Sequence, residues 1–471
     1  MKTFTLRSSV HSLWIAAAFL FIFTVVILTR PLLPIDETRY LSVAWEMYLR
    51  HDWLAPLTMN GTPYHHKPPL LFWLINSLWT LTGPSRWAGT LPAVLAGIIT
   101  VLMGQRLAHT LFQQTTRPVA DHTPLIMMGG LAFLVYSTMV MFDVTLTVFV
   151  LGVLLCLQAY ATKPRLFLLI VMGLLLGLGV LTKGPVAYLY IIFPALLGPL
   201  WHSQPLKPLI WYGGFLISLL ISTLPVLLWL VPVLQQSDDH FAFWLVWEQT
   251  AGRVTGNFND AHVRPFWFYL PILPLLLVPW IFFCPFWGNL HTIHQALPRE
   301  PGLRFLLCWI IPVFISFSLI SGKQPHYLLP LFPGLAILSA WLLRNVQTKT
   351  LHRTVTGVFV VFVLLHLVGA QTFLKDYDLQ PVATYLEQHP DRDWGFVKKY
   401  HGELTFLARR EKPLDEIPLE SDVPDWFARH PDGLVIMRFN DPATVTEYQL
   451  VFSIPYRGKT IGVFTAQQKA P

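Results

Sequence analysis

The stretch Pro34–Tyr40, PIDETRY, places Asp36, Glu37 and Arg39 immediately after the first long apolar run. The chain as a whole is only 13% charged, so three ionisable side chains within one turn mark a site. A second compact polar cluster, YHHKPP, follows at Tyr64–Pro69. The two stretches read as the floor of one site at a bilayer surface, held there by the rest of the chain.

Composition sets that frame. Of 471 residues, 54% are hydrophobic, and the mean hydropathy is +0.51. Apolar runs of about 20 residues, the length that spans a bilayer as a helix, recur through Leu367. They are continuous and not alternating, which excludes an outer-membrane barrel. Cys156, Cys284 and Cys308 all lie in apolar runs and read as small core residues. A net charge of +7 could suggest nucleic acid, but its distribution argues for membrane orientation and no nucleic-acid partner.

Leu13–Thr29 reads as an uncleaved first span with the N-terminus inside, since Arg30-Pro31 follows where a cleavage site would stand. Ile35–Leu49 puts Leu41, Ala44, Trp45, Tyr48 and Leu49 on one helical face, as in a helix lying in the interface. Leu70–Leu81, opened by Pro68-Pro69, reads as a second interfacial helix. Further spans are expected near 86–108, 124–141, 144–161, 166–182, 185–201, 208–234, 265–287, 303–320, 326–343 and 351–370. With the first, this makes about eleven by the length rule.

Alternating sides from an inside N-terminus puts Arg106, Arg117, Lys163, Arg165, Lys207, Arg304 and Lys349 inside, as the positive-inside rule requires. The outside loops then hold Asp36, Glu37, His65, His66, Lys67, Asp143, Lys183, Glu248, Arg253, His262, Lys323 and His326. Every cluster suited to chemistry falls on one face. The polar segment 371–471 is expected outside as well. It shows strand-like runs at Trp394–Val397, Leu434–Phe439 and Leu450–Phe464 and a helical stretch at Leu404–Arg409. The predicted organisation is a membrane domain, 1–370, and a small α/β domain, 371–471.

Each group has a bland and a chemical reading. Asp36 caps the following helix and Glu37 favours its positive end, or a carboxylate here accepts a proton or orients a metal or sugar. Arg39 pairs with these acids. Lys67 meets lipid phosphate, or grips the phosphate of a lipid-linked substrate while His66 or His65 ligates a divalent metal. Asp143 is a helix cap, or a functional acid at a short turn. Lys183 snorkels, or joins Lys67, Arg253, Lys323 and His326 as donors to a phosphate leaving group. Residues 235–264, with Glu248 and Arg253, form a solvated connection or an active-site lid. No nucleotide-binding fingerprint is visible, so no nucleotide cofactor is expected and a membrane-borne donor is the economical alternative.

The motifs DETRY at 36–40, HKPP at 66–69, MFD at 141–143, LTKG at 181–184, HVRPFWFYLP at 262–271 and GKQPHYLLPLFP at 322–333 occur in this order. In this set the chain resembles the GT-C glycosyltransferases, in particular the lipid A aminoarabinose transferases and, more distantly, the protein O-mannosyltransferases. The resemblance implies a GT-C type polytopic fold, a polyprenyl-phosphate-linked sugar donor, a glycolipid or glycan acceptor, an extracytoplasmic site and inversion at the anomeric carbon. It implies the family's first acid at Asp36, its phosphate-contacting lysine at Lys67, its second acid at Asp143 and a metal-ligating histidine at His262. His66 stands where the lipid A enzymes resemble Glu-Lys-Pro, so a divalent metal, zinc or magnesium, would rest on His66 and His262. A bacterial inner membrane is the expected location, with the site and C-terminal domain facing the periplasm. The competing reading is a transporter or flippase of lipid-linked sugars, but the polar groups sit at one surface and no repeat is visible.

Overall fold

The structure is a computed structural model that describes residues 3–112, 118–238, 241, 243–245, 247, 263–440 and 447–467. The longer helices are α1 Thr3–Thr29, α2 Asp36–Arg50, α3 Leu70–Thr82, α4 Arg86–Phe112, α5 Pro118–Met128, α6 Leu131–Ser137, α7 Phe142–Thr162, α8 Leu166–Lys183, α9 Val186–Leu196, α10 Pro208–Gln235, α11 Pro301–Leu319, α12 Phe332–Leu342 and α13 Thr348–Gln371. The chain forms two compact units. One comprises Met1–Phe23, His65–Leu71 and Thr90–Phe362; the other comprises Thr24–Tyr64, Phe72–Gly89 and Val363–Pro471. The change of composition near Ala370 therefore does not coincide with the division of the fold.

The first unit is the membrane body. Among the described residues, 7 helices are long and apolar enough to cross a bilayer, or 8 if α5 and α6, bent by 61°, count as one. The part of α1 from Leu13, and α9, are shorter apolar helices. The stretch 265–287, expected as one span, is instead broken into Phe266–Tyr269, Ile272–Leu276, Trp280–Phe282 and Cys284–Leu290. Pro265, Pro271, Pro274, Pro279 and Pro285 explain the breaks, because each lacks an N–H and clashes with the preceding turn.

Close approach of α8 and α10 depends on two glycines. A Cβ on Gly173 would lie 2.7 Å from both Ile221 and the Ser218 carbonyl oxygen, and one on Gly177 would run into Pro225 and the Ser222 carbonyl. This small-xxx-small spacing lets two apolar helices gain dispersion contacts where lipid offers no hydrophobic drive. Elsewhere the Trp280 indole donates to the Ile126 carbonyl at 2.9 Å, and Phe133 stacks on Phe332 at 5.1 Å.

Helices α2 and α3 form where two short helices are expected, and α2 and the part of α3 from Phe72 lie in the second unit. Tyr40 meets Phe72 and Tyr48 meets Trp79 edge to face, and the Asn76 amide donates to the Ala44 carbonyl at 3.1 Å. Asp36 and Glu37 in the first turn and Arg50 in the last oppose the helix dipole. Asp36 is not the cap, however: Ile35 holds that position without a side-chain bond.

The C-terminal part adds β3 Trp394–Val397, β4 Asp415–Ile417, β5 Leu434–Phe439, β6 Tyr448–Tyr456 and β7 Lys459–Ala466, in the order β4-β3-β5-β7-β6; the preceding two-residue strands Thr58–Met59 and Thr62–Pro63 are β1 and β2. Strand β3 runs parallel to β4 and β5, while β7 is antiparallel to β5 and β6. The run read as Leu450–Phe464 is two strands, because Arg457 and Gly458 at φ 53 and 74 turn the chain back. The helix expected at Leu404–Arg409 is absent, and a set of turns stands there. Its backbone donors are taken elsewhere: Leu404 and Thr405 N–H donate to the Tyr400 hydroxyl, and Phe406 N–H donates to Ser42 Oγ at 3.1 Å. The turns therefore grip α2. Ser42 Oγ donates to the Gly402 carbonyl at 2.5 Å, the Trp45 indole donates to the Arg410 carbonyl at 2.8 Å, and Trp79 stacks on Phe406 at 5.0 Å.

Candidate active site

In the membrane body the polar groups gather at the start of α7. Asp143, in the first turn, is ion-paired to the Lys183 ammonium from the last turn of α8, and its other oxygen lies 3.9 Å from His326 Nε2. Both members of the Asp143–Lys183 pair are nearly excluded from solvent. Lys183 also lies 4.1 Å over the Tyr327 ring. Lys67 approaches from the HKPP stretch, its ammonium 5.8 Å from the ring of Phe142, the residue before Asp143. The residues MFD, LTKG, HKPP and PHY, distant in sequence, are thus brought to one place. Gly184, at φ 85, ends α8 directly after Lys183 and so fixes that lysine at the helix terminus.

Lys323 has another task. It is 3% exposed and donates to the Arg264 carbonyl at 2.9 Å, while Val263 bridges Gly322. It pins the backbone of 263–264 to 321–323, and burial pushes its ammonium pKa down. That bond uses one of the ammonium's three donors. Glu248, Arg253 and His262 lie outside the described residues.

The two histidine rings pack against each other, and His65 against an indole, at a tilt. His65 and His66 rings are 4.4 Å apart, and His65 lies 4.2 Å from Trp244. Among the described residues no group of three His, Cys, Asp or Glu side chains could hold a metal ion. The donors present do not fit a metal site by themselves.

In the second unit the neighbouring carboxylates separate. Glu37 is fully buried, ion-paired to Arg30 at 3.1 Å, and accepts from the Leu33 N–H at 2.9 Å. It ties α2 to the end of α1. Asp36 is 43% exposed and accepts from Arg39 at 2.5 Å, one helical turn on. Burial by itself would lower the Arg39 guanidinium pKa, but Tyr64, Tyr40 and Asp36 outweigh it and hold it above the ordinary value. Burial and then Asp36 push the Tyr40 hydroxyl well up, so it stays protonated. Sequence reading missed Arg30 and Ser42. Arg30 lies 7 positions before Glu37, across a helix break, where no periodic signal links them.

The chain can now be set beside known proteins. Residues 66–229 match the family described as dolichyl-phosphate-mannose-protein mannosyltransferase. The undecaprenyl phosphate-alpha-4-amino-4-deoxy-L-arabinose arabinosyl transferase 2 of Proteus mirabilis is 29% identical over 339 residues, 71% of this chain and 59% of the relative. A Photorhabdus laumondii protein of the same description is 27% identical over 65% of this chain and 54% of its own length. The chain thus spans a little over half the length of these curated relatives. ArnT from Cupriavidus metallidurans, solved bound to undecaprenyl phosphate, has the same fold, with a TM-score of 0.77 over 98% of this chain and 99% of that one, at 17% identity. Archaeoglobus fulgidus AglB, an oligosaccharyltransferase solved with dolichol-phosphate, is less similar, with a TM-score of 0.53, 15% identity, and coverage of 97% and 75%. In fold and in sequence, this polytopic membrane chain resembles the GT-C glycosyltransferases of the aminoarabinose transferase and protein mannosyltransferase type.

Proposed function

We propose that the chain is an inverting membrane glycosyltransferase that moves a sugar from a polyprenyl-phosphate donor to a glycolipid or glycan acceptor. The observation that carries this reading is the set Lys67, Asp143, Lys183 and His326 within the membrane body, where a buried carboxylate holds the Lys183 ammonium in place. Relatives named as undecaprenyl phosphate-alpha-4-amino-4-deoxy-L-arabinose arabinosyl transferases support it.

The reaction is a single displacement. An acceptor oxygen forms a bond to the anomeric carbon as the carbon–oxygen bond to polyprenyl phosphate breaks. The phosphate leaves with the electron pair, and Lys67 and Lys183 offset its developing charge. Asp143 serves by holding Lys183 and His326 in place. Asp36 takes the proton when the acceptor is a hydroxyl, and orients the acceptor when it is an ionised phosphate. Arg39 fixes the Asp36 carboxylate. Magnesium or zinc would need His262 and His66 together.

By the charge asymmetry of its loops, the protein resides in a bacterial inner membrane with these residues and the C-terminal domain facing the periplasm. Reporter fusions at residues 60 and 420 outside and 348 inside check that orientation. Mass spectrometry of envelope lipids and glycans from cells with and without the protein tests the activity. A hexose- or pentose-sized mass lost from one glycolipid class is the expected result. An unchanged glycolipid and glycan profile would sink the proposal.

A further inference from the structure

We propose that the second unit carries a binding site for the phosphate headgroup of an anionic glycerophospholipid, separate from every residue given a catalytic role above. A cavity of about 300 Å³ lies where α1 and α13 end, and its wall includes Arg30, Arg86, Lys375, Asp378, Leu28 and Leu374. Against these three cations stand Asp378 and, behind the wall, the Glu37 partner of Arg30, which leaves one net positive charge suited to an anion.

Two of the cations are fixed in advance. Arg30 is held by Glu37 at 3.1 Å, and Arg86 donates to the carbonyls of Ile27, at 3.4 Å, and Arg30, capping the end of α1. Neither guanidinium has to be ordered when a ligand arrives, which lowers the entropic cost of binding. Lys375 is exposed and adds the third positive charge.

The apolar part of the wall identifies the ligand as an amphiphile. Leu28 is 78% exposed, and the outward residues of α13, Leu364, Leu367 and Val368, are at least half exposed. Leu13–Thr29 of α1 holds no charged residue and the stretch 354–371 of α13 no Lys, Arg, Asp or Glu, and Arg30 and Lys375 follow where these two runs end. That is the level at which a phospholipid puts its phosphate, with its acyl chains along the helices below. Basic pockets at the ends of membrane helices recognise lipid headgroups in this way. The volume is at the small end of ligand pockets and suits a headgroup, not an oligosaccharide. Because Arg30 also holds Glu37, an occupied site would brace the junction between α1 and α2.

The test uses the full chain purified in detergent and stripped of lipid. Retained lipid is counted by native mass spectrometry, and thermal stability is followed during titration with phosphatidylglycerol, phosphatidylcholine or inorganic phosphate. The expected result is one tightly held phosphatidylglycerol per chain, a raised melting temperature with that lipid alone, and affinity about tenfold or more weaker in Lys375→Glu, as loss and reversal of a charge-assisted contact implies. Lys459→Glu, a charge reversal at an exposed strand end, should bind as the unaltered protein does. Equal retention in Lys375→Glu, or equal binding of phosphatidylcholine, overturns the site. An equal response to inorganic phosphate overturns the lipid as its ligand.

Discussion

Asp143 and Asp36 are both paired with a cation, yet their surroundings differ sharply. The Asp143 side chain is 2% exposed and lies between Lys183 and His326, whereas that of Asp36 is 43% exposed and pairs with Arg39. A buried pair is held by the absence of alternatives, since removing one partner strands a charge in low dielectric. An exposed pair is weak and its members stay available. The first arrangement suits a fixed electrostatic feature; the second suits a group that must exchange a proton or a ligand.

The largest effect should come from breaking the buried pair on one side. Lys183→Met leaves Asp143 uncompensated and should cost about 3–5 kcal/mol of stability, with loss of transfer. Thermal unfolding in detergent checks this. The double variant Asp143→Asn with Lys183→Met should recover much of the stability and none of the activity. Equal melting of the single and double variants would break the comparison.

Asp36→Asn should reduce sugar transfer by about 10²–10⁴-fold if the acceptor is a hydroxyl, with little change in melting. Steady-state transfer at saturating donor measures it. A large stability loss would put Asp36 in the same class as Asp143.

Ser42→Ala sharpens the contrast from the structural side. It removes a buried hydroxyl bonded to the Gly402 carbonyl and the Phe406 N–H. A destabilisation of about 1–3 kcal/mol is expected from the groups left unsatisfied. Arg39→Met should cost the least stability, about 0–1 kcal/mol, because its pair with Asp36 is partly solvated. Its effect should appear in acceptor KM.

Much of this was legible in the sequence. The motifs DETRY, HKPP, MFD and LTKG are local, and their polarity stands out within apolar surroundings. The two short helices after the first span were readable from period and prolines. What could not be read was partnership. Glu37 beside Asp36 looks equivalent in sequence, yet one helix turn sends it inward to Arg30. Lys323 and Lys183 look alike as interface cations, but one meets a backbone carbonyl and the other a carboxylate. Leu404–Arg409 has helical composition and loses its helix to Tyr400 and Ser42, bonds that depend on a residue some 360 positions away. Likewise the prolines of 265–285 were visible, but apolar length outweighed them in the reading.

The most direct measurement is the affinity of the purified protein for polyprenyl phosphate, compared among the unaltered chain, Lys67→Ala and Asp36→Asn. In the proposed reaction Lys67 holds the phosphate and Asp36 serves the acceptor. Binding should weaken about tenfold or more in Lys67→Ala, as for loss of a charge-assisted contact, and stay unchanged in Asp36→Asn. Unweakened binding in Lys67→Ala, or equal weakening in both variants, would contradict it.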